Sequence, residues 1–277
     1  MNKYLKSICN LVIYSIAYIV ILFAVALSMK YLLSINPGFK DWFLKNQNSF
    51  IIINDIISIP IFALLVKRIK KQSVVKYCKF NKVNPVAILV LCLIGLSVSL
   101  FSTSIIKTPF ITYNFPIIKQ NFDLMFKGTT LVCFLLFLFI GSIYKEMLFR
   151  GIIFNELKEV ASFKVAIVLQ GLIYGVFFFQ YRVALIAYGL LGAVLFALIY
   201  TWFDSIWAPV AAQITSTGGL YLLSQVGGTF IQNYVYLVLA ISILIMIAGI
   251  YYLWKNKEHL KYEIENIENN KLKRLEQ

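Results

Sequence analysis

Three charged side chains follow a long hydrophobic run in this sequence. Lys145, Glu146 and Arg150 come directly after "LVCFLLFLFIGSIY", a run that also contains Ser142. In a helix, Glu146 and Arg150 are four residues apart and lie on one face, where they can form an ion pair. Ionisable side chains within a membrane usually face the bundle interior, are paired, and often mark a functional site. The stretch therefore predicts either catalytic groups or an ion pair that braces helices.

Lys145 has no acidic residue three or four positions away on its own helix. It must reach the membrane interface, lose its proton, or find a partner on another helix. Ser142 lies three residues earlier on the same face, and a desolvated lysine can act as general base for a serine nucleophile. A Ser142–Lys145 hydrolytic pair is therefore an alternative to a lysine that only extends to the interface.

Two further polar patterns lie in later hydrophobic stretches. Gly171 and Gly175 have GxxxG spacing in "GLIYGVFFFQ", which permits close helix approach, and Tyr174 stands between them. In "SIWAPVAAQITSTGG", Gln213 and Thr217 are four residues apart on one helical face. They are either site residues or donors and acceptors for hydrogen bonds between helices.

The stretches "KEMLFRG", "YGVFF" and "QITST", in this order and with "SIWAPVAAQ" before the last, resemble three motifs of one family. This is the CAAX-type intramembrane protease family, also called CPBP or Abi. It contains type II CAAX prenyl endopeptidases and bacterial relatives linked to bacteriocin self-immunity. The resemblance covers about residues 128–225 and implies an eight-helix bundle with the motifs on successive helices.

The resemblance also identifies where this chain departs from the family pattern EExxxR, FxxxH and HxxxN. The first Glu, the two His residues and the Asn are credited with catalysis in the family. All four are replaced here, whereas the second Glu and the Arg, which form an ion pair, are retained. The motif positions in this chain are Lys145, Glu146, Arg150, Tyr174, Phe178, Gln213 and Thr217.

The histidine count agrees with this loss of catalytic groups. The chain has a single histidine, His259, which lies in the polar tail. The four cysteines have no paired spacing, so the sequence predicts no disulfide framework. No group of His, Cys and carboxylate residues has the spacing of a zinc site. We therefore predict no metal and no cofactor, and no intact catalytic site of the family type.

The composition indicates a membrane protein. Of 277 residues, 60% are hydrophobic and 14% are charged, whereas soluble domains have about 25% charged residues. The net charge of +14 does not indicate nucleic-acid binding, because the basic residues lie between apolar spans. We predict an all-α membrane protein, a bundle of about eight transmembrane helices with a CAAX-protease-like core. The predicted spans are 9–29, 49–66, 85–106, 128–149, 162–180, 183–203, 206–225 and 231–254.

The distribution of basic residues predicts the topology. The loop "KRIKKQSVVKYCKFNK" and the tail after the last span are rich in Lys and Arg, which favours the cytoplasmic side. An even number of spans then places both termini in the cytoplasm of a multi-pass cell-membrane protein. We divide the chain into N-terminal transmembrane helices with the basic loop (1–127), the CAAX-protease-like core (128–225), the last transmembrane helix (226–254) and a charged tail (255–277).

These observations favour a catalytically inactive, bacterial member of the family rather than an enzyme. Its expected role is that of a membrane scaffold, a partner-binding protein or a bacteriocin self-immunity protein, with the lipid bilayer and a membrane protein or peptide as partners. An active intramembrane endopeptidase with an altered site is one alternative. A small transporter component is another, although the two halves show no repeat of the kind that many carriers have.

Overall fold

The computed structural model describes residues 2–126, 129–179, 182–226 and 228–275, and it is helical with no strand in these ranges. One helix, Met147–Ile153, has π geometry and joins α8 to α9. In chain order the α-helices are α1 (Lys3–Ile35), α2 (Pro37–Leu44), α3 (Ser49–Lys70), α4 (Val74–Tyr77), α5 (Pro85–Ile105), α6 (Pro109–Asn114), α7 (Pro116–Phe126), α8 (Leu131–Glu146), α9 (Phe154–Val160), α10 (Phe163–Phe179), α11 (Val183–Phe203), α12 (Trp207–Val226), α13 (Gly228–Asn233) and α14 (Val235–Leu275).

The predicted class, an all-α membrane protein, is confirmed. Within the described ranges, six helical stretches are long and apolar enough to cross a membrane, namely Lys3–Ile35, Ser49–Lys70, Pro85–Ile105, Leu131–Val160, Val183–Phe203 and Val235–Lys261. The two remaining predicted spans are also helices. Of these, α10 is apolar but has 17 residues, and α12 has 20 residues interrupted by polar side chains such as Gln213, Thr215 and Ser216.

Short polar residues and prolines determine where several helices begin. The side chain of Asn84 accepts a hydrogen bond from the backbone N–H of Val86 at 2.8 Å, and Pro85 is the first residue of α5. Asn36 and Pro37 have the same roles at α2, where Asn36 accepts from the N–H of Phe39. Proline at the first helical position loses no hydrogen bond, because that N–H has no partner within the helix.

The chain divides into two compact units, which we describe separately. Unit 1 consists of residues 1–78 and 120–194, and unit 2 of residues 79–119 and 195–277. Unit 1 contains α1, α3, α8, the π-helix, α9 and α10. Unit 2 contains α5, α12 and α14. The charged stretch with Lys145, Glu146 and Arg150 lies in unit 1.

A buried carboxylate joins four helices of unit 1. Glu156 on α9 is fully buried and forms a salt bridge of 2.7 Å with Lys70 of α3. Its Oε1 accepts a hydrogen bond from the Tyr77 hydroxyl at 3.0 Å, and its Oε2 accepts one from Asn10 Nδ2 at 3.3 Å. Burial, together with the charge of Glu156, raises the pKa of Tyr77, so the hydroxyl remains a donor. One acid thus fixes the positions of α1, α3, α4 and α9.

The predicted close approach at the GxxxG spacing is confirmed. Gly175 faces α11, and a Cβ atom at this position would lie 2.7 Å from Ile186 Cγ2 and 3.2 Å from Ile186 Cα. Such a distance to a backbone atom leaves no room for a side chain. The small residue therefore allows α10 and α11 to approach closely, as small residues do in other membrane helix pairs.

In unit 2, small residues allow α5 to pack against α12. A Cβ atom at Gly95 would lie 2.5 Å from the carbonyl oxygen of Ala212 and 3.0 Å from the backbone nitrogen of Ser216. Buried apolar side chains surround this contact, including Leu91, Ile94, Ala208 and Leu253.

Polar contacts fix the loop that precedes α12. Asp204 has a φ of 49° and forms an ion pair with Lys79. Asn81 Nδ2 donates to the backbone carbonyl of Asp204 at 2.8 Å, and the Ser205 hydroxyl donates to the carbonyl of Asn81. Asp204, the acid at the short turn between two spans, is therefore paired within unit 2.

We expect Gly175→Ala to lower the stability of the protein in detergent, because the added methyl group collides with Ile186. Overpacking of this kind costs about 1–3 kcal/mol. Thermal unfolding of the purified variant measures the loss. Gly192→Ala is the matched control on α11, since a Cβ atom there meets no atom within 4 Å. Equal melting temperatures for the two variants would contradict the packing described for α10 and α11.

Candidate functional site

The charged stretch spans the junction between an α-helix and a π-helix. The α-helical segment ends at Glu146, and the π-helix places the Phe154 N–H on the carbonyl of Phe149, five residues earlier. Gly151 lies against Cys78 here, because a Cβ atom on Gly151 would be 2.5 Å from the Cys78 sulfur. The span continues to Val160, beyond residue 149 where the predicted span ends. π-Helical segments are rare and are frequently found at functional sites.

The predicted ion pair between Glu146 and Arg150 is confirmed. Arg150 NH1 donates to Glu146 Oε1 at 3.0 Å, and both side chains are almost fully buried, with 1% and 0% of their side-chain surface exposed. A buried charge is tolerated when a partner of opposite sign and further hydrogen bonds offset its desolvation. The pair therefore acts within unit 1 as a structural brace.

Arg150 also connects the charged stretch to α10 and α11. A second guanidinium nitrogen of Arg150 donates to the carbonyl oxygen of Ala193 on α11 at 3.4 Å. Gln170 Nε2 on α10 donates to the same oxygen at 2.9 Å. The guanidinium carbon also lies 5.5 Å from the centroid of the Tyr174 ring, a cation–π distance. The motif residues Glu146, Arg150 and Tyr174 are thus brought together.

Gln170 is a member of this cluster that the sequence analysis missed. It is fully buried and precedes Tyr174 by four residues, so it lies on the motif face of α10. The signal that identifies it is a polar residue in an apolar helix, at helical spacing from a residue already assigned to the site.

Aromatic rings surround the Lys145 side chain. Its ammonium lies 4.9 Å from the centroid of the Phe137 ring and 5.4 Å from that of Phe178. Lys145 is partly buried, so it neither extends freely into water nor lacks favourable contacts. Phe178 occupies the position of the first histidine in the family pattern, and Lys145 occupies that of the first glutamate. The side chains at these two positions therefore contact each other.

The Ser142–Lys145 hypothesis lacks the hydrogen bond that it requires. Ser142 is buried, with 3% of its surface exposed, and the hydrogen bonds described for unit 1 include none between Ser142 and Lys145. A serine nucleophile needs its base within hydrogen-bonding reach, although this distance is often longer in a protein without substrate. The arrangement favours the interpretation of Lys145 as a cation held between rings.

The remaining motif residues, Gln213 and Thr217, lie on α12 in unit 2. Gln213 Nε2 donates to Thr217 Oγ1 at 3.1 Å, and the Ser216 hydroxyl donates to the Gln213 carbonyl at 3.1 Å. The prediction that Gln213 and Thr217 share a face is confirmed. These hydrogen bonds run within α12, whereas the sequence analysis considered hydrogen bonds between helices.

The described residues contain no group of three or more His, Cys, Asp and Glu side chains that could hold a metal ion. In unit 1 the motif residues present an ion pair, an ammonium and aromatic rings. In unit 2 they present the amide of Gln213 and the hydroxyl of Thr217, which are hydrogen-bonded to each other. These groups can hold helices together through ion pairing, hydrogen bonds and ring packing.

A comparison with protein-family models finds a match within the chain. Residues 127–219 match the family model described as type II CAAX prenyl endopeptidase Rce1-like. The predicted family resemblance is therefore confirmed over residues 127–219. No curated protein and no solved structure matches the chain significantly.

We expect Arg150→Met to destabilise the protein strongly, because it leaves the Glu146 carboxylate buried without its cation. Breaking a buried ion pair from one side costs about 3–5 kcal/mol. Thermal unfolding in detergent and the amount of protein in membranes measure the loss.

The double variant Glu146→Gln/Arg150→Met should be more stable than Arg150→Met alone, because no isolated charge remains. Lys3→Met is the control, since the Lys3–Glu159 ion pair is exposed and surface pairs contribute little. A double variant no more stable than Arg150→Met would contradict the role of the pair as a brace.

Proposed function

Because residues 127–219 match the Rce1-like family, we propose that the chain is a catalytically inactive relative of the CAAX-type intramembrane proteases. It retains the helical framework and uses it to bind a membrane protein or peptide. Scaffolding of a membrane partner and self-immunity to a bacteriocin by sequestration are two forms of this activity. Both require a stable framework and neither requires hydrolysis.

One observation carries this proposal. At the motif positions, the residues that stabilise the framework are retained and paired, while those that the family uses for catalysis are replaced. Glu146 and Arg150 form a buried ion pair, and the catalytic positions hold Lys145, Phe178, Gln213 and Thr217. The only histidine of the chain is His259 in the tail. Loss of a general base alone lowers a rate by about 10²–10⁴.

The contacts at the replaced positions also support a binding role. Lys145 packs between the rings of Phe137 and Phe178, and the Phe178 ring packs against those of Phe149 and Tyr174 at 5.6 and 4.9 Å. Aromatic side chains supply large apolar contact areas. We call the surface formed by Phe137, Phe149, Tyr174 and Phe178 the proposed face. A partner that contacts it would meet aromatic rings rather than a group that activates water.

Recovery of partners from native membranes tests this proposal. A tagged wild-type chain should retain a membrane protein or peptide at a stoichiometric level, without a cleaved product. Ser142→Ala should retain the same partner, because Ser142 has no chemical role in binding. Phe178→Leu should lose the partner at unchanged abundance, because it removes the ring but keeps an apolar side chain that fills much of the same volume. A product whose formation depends on Ser142 or Lys145 would contradict the proposal and establish a peptidase.

We also propose a multi-pass cell-membrane protein with both termini in the cytoplasm, since the basic loop and tail favour that side. Green fluorescent protein fused after Lys71 or at the C-terminus should fluoresce in bacteria, because it folds in the cytoplasm. A fusion after Tyr113, in the less basic segment, should be dark, whereas alkaline phosphatase there should be active. The reverse pattern would contradict this orientation.

A further inference from the structure

A further buried carboxylate lies in unit 1, outside the segment that matches the family model. Asp55 on α3 has 3% of its surface exposed. Its Oδ1 accepts a hydrogen bond from Asn54 Nδ2 at 3.2 Å. Its Oδ2 is buried, and no hydrogen-bond donor contacts it in the described part of the chain. A buried carboxylate with one neutral donor is costly, so the surroundings of Oδ2 require an explanation.

The unpartnered oxygen of Asp55 faces α8 at a glycine. A Cβ atom on Gly141 would lie 3.4 Å from Asp55 Oδ2 and 3.7 Å from the ring of Phe137. The absence of a side chain at Gly141 therefore gives the carboxylate access to the surface of α8. Phe137, Gly141 and Lys145 are spaced by four residues and lie on the same face of this helix.

The Lys145 side chain passes over the same position. Side chains on a helix point back toward its N-terminus, and the Lys145 ammonium lies 4.9 Å from the ring centroid of Phe137, two turns earlier in the helix. The lysine thus runs along α8 from position 145 past Gly141 toward Phe137. This route brings the ammonium to the place where Asp55 Oδ2 meets the helix.

The charges of the two groups agree with this geometry. An ammonium and a carboxylate attract each other strongly where water is excluded, and the Lys145 and Asp55 side chains approach the same part of α8, between Phe137 and Gly141. Asp55 and Lys145 form no direct salt bridge in the described part of unit 1, so the attraction acts without direct contact.

We propose that Asp55 is the counterion and positioning residue of Lys145. The family pattern has a carboxylate at the position of Lys145, and this chain supplies one from α3 instead. Asp55 holds the Lys145 ammonium between the rings of Phe137 and Phe178 and so determines the position of this ammonium in unit 1. Asp55 and Glu146 then balance the charges of Lys145 and Arg150. The assignment rests on the geometry of unit 1 and stands independently of the proposed function.

Infrared difference spectroscopy of the purified protein tests this pairing through the ionisation of Asp55. The difference between wild type and Asp55→Asn should contain a carboxylate band, because Lys145 stabilises the ionised form. The difference between Lys145→Met and Lys145→Met/Asp55→Asn should contain a protonated carboxyl band instead, because an unpaired buried acid takes up a proton. Lys145→Arg should retain the carboxylate band. The same ionisation state of Asp55 with and without a cation at position 145 would overturn the proposal.

A double-mutant cycle provides a second test, because only a direct coupling between Asp55 and Lys145 makes the effects of the two substitutions non-additive. Asp55→Asn and Lys145→Met should each lower the melting temperature, and the double variant should melt no lower than the less stable single variant. Asp55→Asn combined with Lys164→Met is the matched control, because Lys164 is exposed on α10 and its effect should be additive. Additive effects of Asp55→Asn and Lys145→Met would overturn the pairing.

Discussion

The cost of an isolated charge in an apolar environment is the constraint on which the arrangement of unit 1 depends. Glu146 is balanced by Arg150 at 3.0 Å, and Glu156 by Lys70 at 2.7 Å. Each pair lies where several helices meet, so the pairing of charges also fixes the helices that carry them. Breaking one pair would therefore disturb more than one helix contact.

Arg150 illustrates how one buried side chain can organise three helices. It bonds to Glu146 at the end of α8, to the Ala193 carbonyl of α11, and contacts the ring of Tyr174 on α10. The Ala193 oxygen is shared with Gln170. Removal of Arg150 would leave the Glu146 carboxylate without its cation in the interior of unit 1, which is costly.

The positions at which the family pattern has histidines contain side chains with other satisfied contacts. Phe178 contacts the Lys145 ammonium and the rings of Phe149 and Tyr174. On α12, Gln213 bonds to Thr217 four residues later. Each of these side chains thus packs or forms a hydrogen bond within its own unit.

The sequence by itself determined the class of the protein, the positions of the long helices, the family resemblance and the Glu146–Arg150 pair. These properties follow from local signals, namely continuous hydrophobicity, motif order and the i to i+4 spacing of a helix. The π-helix, the bond of Gln170 to Ala193 and the salt bridge of Lys70 with Glu156 were decided by the tertiary structure. Residues such as Lys70 and Glu156 are far apart in the chain, and no local pattern specifies which helices will meet. The surroundings of Lys145 were also decided by the tertiary structure, because its contact with Phe178 depends on how α8 and α10 pack.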